Sequence, residues 1–224
     1  VAADYGCLRM INRRTLQTSV YAGSESCTCT YNAAGLPLYD SVCSPHTIIP
    51  DASGWVGDYL VTDSDRCAVM SFNHDQESHQ TNAGLSNLYV DPLCDLIVNG
   101  FLDPRGMAQN PSSGDLYVAI VDGIKMLNYG SWELGNWVVG PSYLNSAPWG
   151  SYSRDILFID SHRLLFTDSY KVGLHDLRTK STSELCPWTK ENFQISSKSC
   201  LFFHPQSLMN LDGSLYIGQA GSIV

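Results

Sequence analysis

The feature that most limits what this chain can become is an imperfect repeat. Five segments share one pattern, a short apolar strand that runs into polar turn chemistry: Val1-Ala2-Ala3-Asp4, Leu60-Val61-Thr62-Asp63, Tyr117-Val118-Ala119-Ile120, Leu165-Phe166-Thr167-Asp168 and Tyr216-Ile217-Gly218-Gln219. They start at 1, 60, 117, 165 and 216, so the intervals are 59, 57, 48 and 51 residues. A return strand follows each of the first four, at Leu8–Ile11, Ala68–Phe72, Ile124–Leu127 and Val172–Leu177. Asp4-Tyr5-Gly6, Asp63-Ser64, Asp122-Gly123 and Asp168-Ser169 stand between the pairs and supply the turns.

A third apolar element lies 11 to 15 residues upstream of most starts, at Pro45–Ile48, Pro104–Met107, Ser153–Ile156 and Pro205–Leu208. Proline suits the first residue of a strand, where no ladder donor is needed. Ragged outer strands are expected at Leu16–Tyr21 and Thr182–Leu185. Alternation of Val172 and Leu174 reads as a half-buried strand, and no stretch carries helical periodicity beyond two turns. The fold class is therefore all-β. Units of about 50 residues with three or four antiparallel strands predict a β-propeller. An all-β sandwich is the competing reading, but it has no reason to repeat the same start four times.

Pro104-Arg105-Gly106-Met107 followed by Gly114-Asp115-Leu116-Tyr117-Val118-Ala119 resembles the NHL-type repeat of propellers, and Leu60 to Val69 with Asp63-Ser64-Asp65-Arg66 is the next closest unit. The resemblance runs over nearly the whole chain. It implies six blades in the usual member of the family. Residues 1–224 then form a single propeller domain or part of one, with four to five blades present and the terminal ones incomplete. The absence of an initiating Met and of a charged-then-apolar leader points the same way, to a mature or excised segment.

Eight cysteines stand at 7, 27, 29, 43, 67, 94, 186 and 200. Disulfides compete with zinc ligation here. Structural zinc sites use paired Cys-x-x-Cys clips, and Cys27-Thr28-Cys29 is the only close pair. Disulfides in an oxidising compartment are the expectation, which predicts an extracellular or cell-surface location. Connectivity is not legible among on the order of a hundred pairings. Cys186–Cys200 is the best local pair, because Pro187 and a polar segment between them suit a stapled loop.

Composition narrows the partners. A net charge of −9 argues against nucleic acid, whose phosphates demand surplus Lys and Arg, and no run of 18 apolar residues is present to span a membrane. With 44% apolar and 16% charged residues the chain is ordered and lightly charged. The acceptor triplet Asn110-Pro111-Ser112 is spoiled for N-glycosylation by its proline, whereas the Ser- and Thr-rich stretches at 24–30 and 181–183 leave room for O-linked sugar.

In a propeller, equivalent stations of successive inner strands converge at the channel. The station after Pro, or after Ser153, holds His46, Arg105, Arg154 and Gln206. The zinc-dependent lyases within the resembled family carry His at several such stations. Here only His46 fits, and guanidinium groups repel a metal. Lactonase-like propellers hold calcium with Glu, Asn and Asp from several blades, and Asp51 and Asp155 do not recur in that manner. No cofactor is expected, though structural calcium is compatible with the fold. The arginines suit an anion such as a carboxylate or acidic sugar, or else they pair with Asp103 and Asp155.

Nucleophile elbows, His-Glu-x-x-His and phosphate loops are absent, so no catalytic residue is assigned. His74, His79, His162, His175 and His204 share no spacing, and Asp63 and Asp168 read as turn-formers. Aromatics crowd residues 129–152, an insertion that presents Trp132, Trp137, Tyr143 and Trp149 either to a sugar or protein or over the rim of two blades.

These features predict a non-catalytic extracellular binding or scaffold module with protein or glycan partners, assembling with other copies or domains. NHL-like propellers beside cysteine-rich modules occur in adhesive surface proteins and in the flagellar hairs (mastigonemes) of algae and other protists, which extends the expectation to a filament subunit. A metal-dependent lyase or lactonase, and a receptor for an anionic ligand at the channel mouth, are the alternatives.

Overall fold

The computed structural model describes residues 2–4, 6–23, 28–29, 42–52, 59–72, 85–90, 101–140, 153–168, 171–185, 205–219 and 222–223. Every regular element among them is a strand. The chain divides into two compact units, Val1–Arg105 and Gly106–Val224.

The first unit holds two antiparallel meanders. One orders β1 (Ala2–Asp4), β2 (Cys7–Ile11) and β3 (Thr18–Gly23), and the other orders β4 (Pro45–Pro50), β5 (Tyr59–Asp63), β6 (Ala68–Phe72) and β7 (Leu85–Val90). Leu8 and Ala22 of the first sheet meet Val61, Ala68, Met70 and Phe72 of the second in one apolar cluster. Tyr21 closes its edge, tilted against Phe72 at 4.5 Å between ring centroids and edge-on to Tyr59 at 6.2 Å.

The second unit holds three meanders. Their strands are β8 (Met107–Gln109), β9 (Leu116–Ile120), β10 (Gly123–Leu127) and β11 (Leu134–Val139); then β12 (Ile156–Phe158), β13 (Arg163–Thr167), β14 (Val172–Asp176) and β15 (Ser181–Glu184); then β16 (Pro205–Leu211), β17 (Ser214–Gln219) and β18 (Ser222–Ile223). First strands lie beside first strands, β8 against β12 and β12 against β16. Three sheets stacked in succession, each wound in the same order, are propeller blades and not the two layers of a sandwich.

Middle strands are buried on both faces, which is why they read as unbroken apolar runs. In β13, Leu164 and Phe166 join Tyr117, Ala119, Ile124, Val139 and Ile156 on one side. Leu165 joins Val172 and Ile217 on the other. The alternation of Val172 and Leu174 therefore does not mark a half-buried strand, since Gly173 between them and His175 after them are also buried. His175 is satisfied there by Thr182, whose hydroxyl lies 2.8 Å from Nδ1. Gly173 faces Phe166 in register, and the phenyl ring occupies the space a side chain would need.

Some expected boundaries shift. The strands predicted from Pro104 and Ser153 begin only at Met107 and Ile156. Side chains intrude on the ladder there: the Thr62 hydroxyl donates to the carbonyl of Arg105, and the Asp155 N–H donates to Thr167 Oγ1. Residues 129–152 are not one insertion, because they contain β11, whose Gly135 and Asn136 resemble loop composition. The last sheet also adds β18 beyond its second strand. The outer strands β3 and β15 lie within two residues of their expected positions.

One turn design recurs. Asn12, Asn110 and Asp176 each accept two backbone N–H groups from residues two and three further on. Four positions on from these three, and four on from Asn128, Leu16, Gly114, Lys180 and Trp132 take positive φ values of 58°, 79°, 54° and 56°. Glycine suits that conformation and the other three are strained in it.

Gly173→Ala should destabilise the chain by about 1–3 kcal/mol through overpacking against Phe166. Chemical denaturation read by near-ultraviolet circular dichroism measures this, and an unchanged midpoint would remove Phe166 from its place over the glycine.

Candidate functional site

Three acidic residues at the ends of middle and inner strands organise the surroundings of the predicted stations. Asp63 closes β5 fully buried, and its carboxylate accepts the N–H groups of Cys43 at 2.7 Å, Ser44 at 3.0 Å and Arg66 at 3.3 Å. It is a turn-former, as expected, but most of its bonds reach about twenty residues back along the chain. Burial pushes its pKa up, against the opposing pull of those N–H donors and of Arg66. Asp168 occupies the matching place after β13, also fully buried, and its N–H donates to Lys171. Lys171 in turn pairs with Glu184 at 2.9 Å, the lysine side chain being only 6% exposed.

In the first unit His46 projects from β4 into solvent, while Arg105 is half-buried and held by Asp103 through Nη2 at 2.7 Å and Nε at 2.9 Å. Partial burial and the nearby Arg105 charge hold His46 below the ordinary imidazole pKa, offset in part by Asp103, Asp63 and Asp65. Arg105 thus pairs with its neighbouring aspartate, one of the two alternatives left open by the sequence.

In the second unit Arg154 behaves differently. Its N–H donates to the carbonyl of Thr167 at 3.0 Å, and Gly106 packs directly on the Arg154–Asp155 backbone, which explains glycine at that place in the repeat. Nε of Arg154 is buried and has no hydrogen-bond partner among the described residues. Asp155 is occupied elsewhere: it accepts Leu208 N–H at 2.7 Å and Ile156 N–H at 2.9 Å, tying β12 to β16. Desolvation raises its pKa to about 6 despite those two bonds. Gln206 lies exposed on β16. The four predicted stations thus fall two to each unit. No group of three His, Cys, Asp or Glu suited to a metal ion occurs among the described residues.

Of the aromatic residues, Trp132 stands edge-on to Tyr129 with centroids 5.5 Å apart, at the tip of the β10–β11 turn. Trp137 lies on β11, with the ammonium of Lys125 4.8 Å from its ring centroid. Tyr143 and Trp149 lie outside the described residues, as do Cys27, Cys94, Cys186 and Cys200. Cys29 and Cys43 are joined, with Cα atoms 4.5 Å apart, and Cys7 and Cys67 are disulfide-bonded as well.

The threonines beside Asp63 and Asp168 were not singled out from sequence. Thr62 and Thr167 are fully buried and bind the adjoining inner segments through their hydroxyls. The repeated Thr-Asp dipeptide was the available signal. The Lys171–Glu184 pair had none, because its partners meet only through β14–β15 pairing.

No protein-family model matches the chain, and no curated protein does. Solved structures match on shape. A chain from a nidogen–laminin complex is similar at 12% identity and TM-score 0.60, over 95% of this chain and 64% of that one. An auxiliary nutrient-binding protein from Bacteroides thetaiotaomicron is similar at 11% identity and TM-score 0.58, over 94% and 47%. The extracellular domain of a two-component system from the same organism is similar at 14% identity and TM-score 0.54, over 98% and 33%. The chain therefore spans less than two thirds of the length of each. These likenesses, with the stacked meanders, define the class: the fold is all-β and of the β-propeller type.

Two measurements follow from the aspartates. Asp63→Ala leaves three backbone N–H groups without their acceptor and should cost about 3 kcal/mol or more; a variant with wild-type stability would contradict the burial. Asp155 binds its proton more tightly folded than unfolded, where its pKa is about 4. It therefore contributes stability below pH about 4 that is lost as pH rises to about 6, on the order of 2–3 kcal/mol. His46 and His175, whose pKa values are lowered, act in the opposite sense, so the check is a difference between proteins. In Asp155→Asn the component falling between pH 4 and 6 should shrink by that amount, leaving the share of Asp63, whose pKa is also raised.

Proposed function

We propose that this chain is a non-catalytic extracellular binding or scaffold module, part of a longer propeller, that contacts proteins or glycans. The observation that carries the reading is the employment of its buried carboxylates. Asp63 and Asp155, the groups a hydrolase or lyase would recruit as acids or bases, are taken up by backbone N–H donors that join strands and sheets. They serve the scaffold. The disulfides at Cys7, Cys29, Cys43 and Cys67 support assembly in an oxidising compartment.

The NHL-type kinship is part of the proposal, supported by the close packing that requires Gly106 in Pro104-Arg105-Gly106-Met107. So are contact roles for His46 and Arg105 in the first unit and for Arg154 and Gln206 in the second, and so is a role in a surface or filament assembly. The nidogen–laminin and nutrient-binding likenesses are compatible with contact functions, which propellers present on their turns.

Trp132 is the proposed contact residue for sugar. Its strained backbone at φ 56° holds the indole beside Tyr129, and strain of this kind is often retained for contact. A second reading, capture of an anionic group, is favoured by the unpartnered Nε of Arg154. Immobilised chain exposed to neutral and acidic oligosaccharides separates the two. Trp132→Ala should weaken all glycan binding at least about tenfold, while Arg154→Ala should remove only the acidic preference. Absence of binding to every sugar would sink the glycan reading, and equal binding of acidic sugars by Arg154→Ala would sink the second.

A further inference from the structure

The last sheet of the second unit is covered on one face and open on the other. Its strands β16 and β17 pair Leu208 with Ile217 and Met209 with Tyr216, and each cross-strand pair shares a face. Leu208 and Ile217 pack on Leu165 and Val172 of the preceding sheet. Met209, Leu211 and Tyr216 stand on the opposite face and are 52%, 52% and 38% exposed. Ser207, Ser214 and Gly218 share that face, so β16 and β17 place no charge on it.

The same two stations recur in the sheets before it. Tyr117, Leu165 and Tyr216 open the aligned second strands, and their first-strand partners are Ala108, Leu157 and Met209. In the first two cases the next sheet lies over the pair. Tyr117 is 5% exposed and stands edge-on to Phe158 of β12, with ring centroids 5.1 Å apart, in a cluster with Ile156 and Phe166. Leu165 is 3% exposed and lies against Ile217, with Leu208 packed beside it. Each cover comes from a cross-strand apolar pair on the next sheet, Ile156 with Phe166 and Leu208 with Ile217. Met209 and Tyr216 are apolar side chains of the same kind at the same stations, and they stand open.

We infer that the Met209–Tyr216 face docks a further antiparallel sheet of the same blade type, supplied by the same polypeptide outside residues 1–224. Continuity of the stack selects the occupant. β8 lies against β12 and β12 against β16, and the open face is the next in that series. The two interfaces already formed give the chemistry of the sheet: its first and second strands present one cross-strand pair of large apolar side chains, as Ile156 with Phe166 and Leu208 with Ile217 do. A second copy turned face to face sets Met209 and Tyr216 against their own kind, whereas both existing contacts join these stations to the neighbouring ones of the next sheet. The inference rests on the reading of this chain as part of a longer propeller and names the surface that holds the remainder.

Two measurements on the complete polypeptide, as its source makes it, test this. Met209 should be oxidised by hydrogen peroxide at least about tenfold more slowly in the native polypeptide than in urea, since a covered thioether is shielded from the oxidant. p-Benzoylphenylalanine in place of Tyr216 should, on irradiation, cross-link within the same molecule to a segment outside residues 1–224, at a residue that stands in its repeat as Leu208 or Ile217 does here. A cross-link to a second molecule, a cross-link confined to residues 1–224, or Met209 oxidised at its unfolded rate overturns the inference. Oxidation is read on the unaltered polypeptide, so it decides the matter where the variant misfolds or forms no cross-link. A longer polypeptide that binds protein or glycan with Met209 open would overturn this inference alone; a covered face on a polypeptide that binds neither would instead sink the scaffold reading.

Discussion

Everything in this structure leans on middle strands that are covered on both faces. A strand buried on one side alternates apolar and polar residues, but β13 sends Leu164 and Phe166 one way and Leu165 the other, each into an apolar cluster shared with a neighbouring sheet. The β12–β15 sheet is thus half of two cores. The arrangement makes sheets cooperative in pairs, and it places strict limits on size: Gly173 exists because Phe166 lies across it, and Gly106 because the Arg154–Asp155 backbone does. Close packing of this kind tolerates changes of volume poorly.

Burial on both faces creates a polar problem at strand ends, where the backbone leaves the ladder inside the protein. Thr62, Asp63, Thr167 and Asp168 stand at those ends, all fully buried. The hydroxyls of Thr62 and Thr167 accept N–H groups from adjoining inner segments, and Asp63 gathers three more. Asp155 does the same between sheets and keeps a raised pKa, because its donors are neutral N–H groups and no cation offsets its desolvation. Polar chemistry that resembles a site from a distance is therefore largely the joinery of the blades. What the joinery leaves over is cationic and aromatic: Arg154 and Trp132.

The surface is assembled from one recurrent turn. At Asn12, Asn110 and Asp176 the side chain folds the chain back on itself, and the residue four positions on takes positive φ. Where glycine fills that position the turn is silent. Where leucine, tryptophan or lysine fills it, the backbone bears strain that the turn itself does not require, and the side chain is presented on a stiff support. Recognition on such a scaffold depends on which turns carry a bulky residue there, and that varies from blade to blade.

The repeat, the all-β class and the order of strands within each unit were legible from residues alone, since burial period and Asp-rich turns are written locally. Asp63 as a turn-former was legible for the same reason, although its reach to Cys43 and Ser44 was not. Other readings needed three dimensions. Arg105 and Arg154 look alike in sequence, yet one is spent on Asp103, two residues before it, while Asp155, the residue after the other, is turned toward Leu208. Trp137 seemed part of a loop until β11 formed around it. Exposure of Leu16 likewise follows from a turn geometry that no hydropathy pattern encodes. Local patterning determines which residues become strands; which polar group finds a partner, and which apolar one is left outside, depends on contacts between segments far apart in the chain.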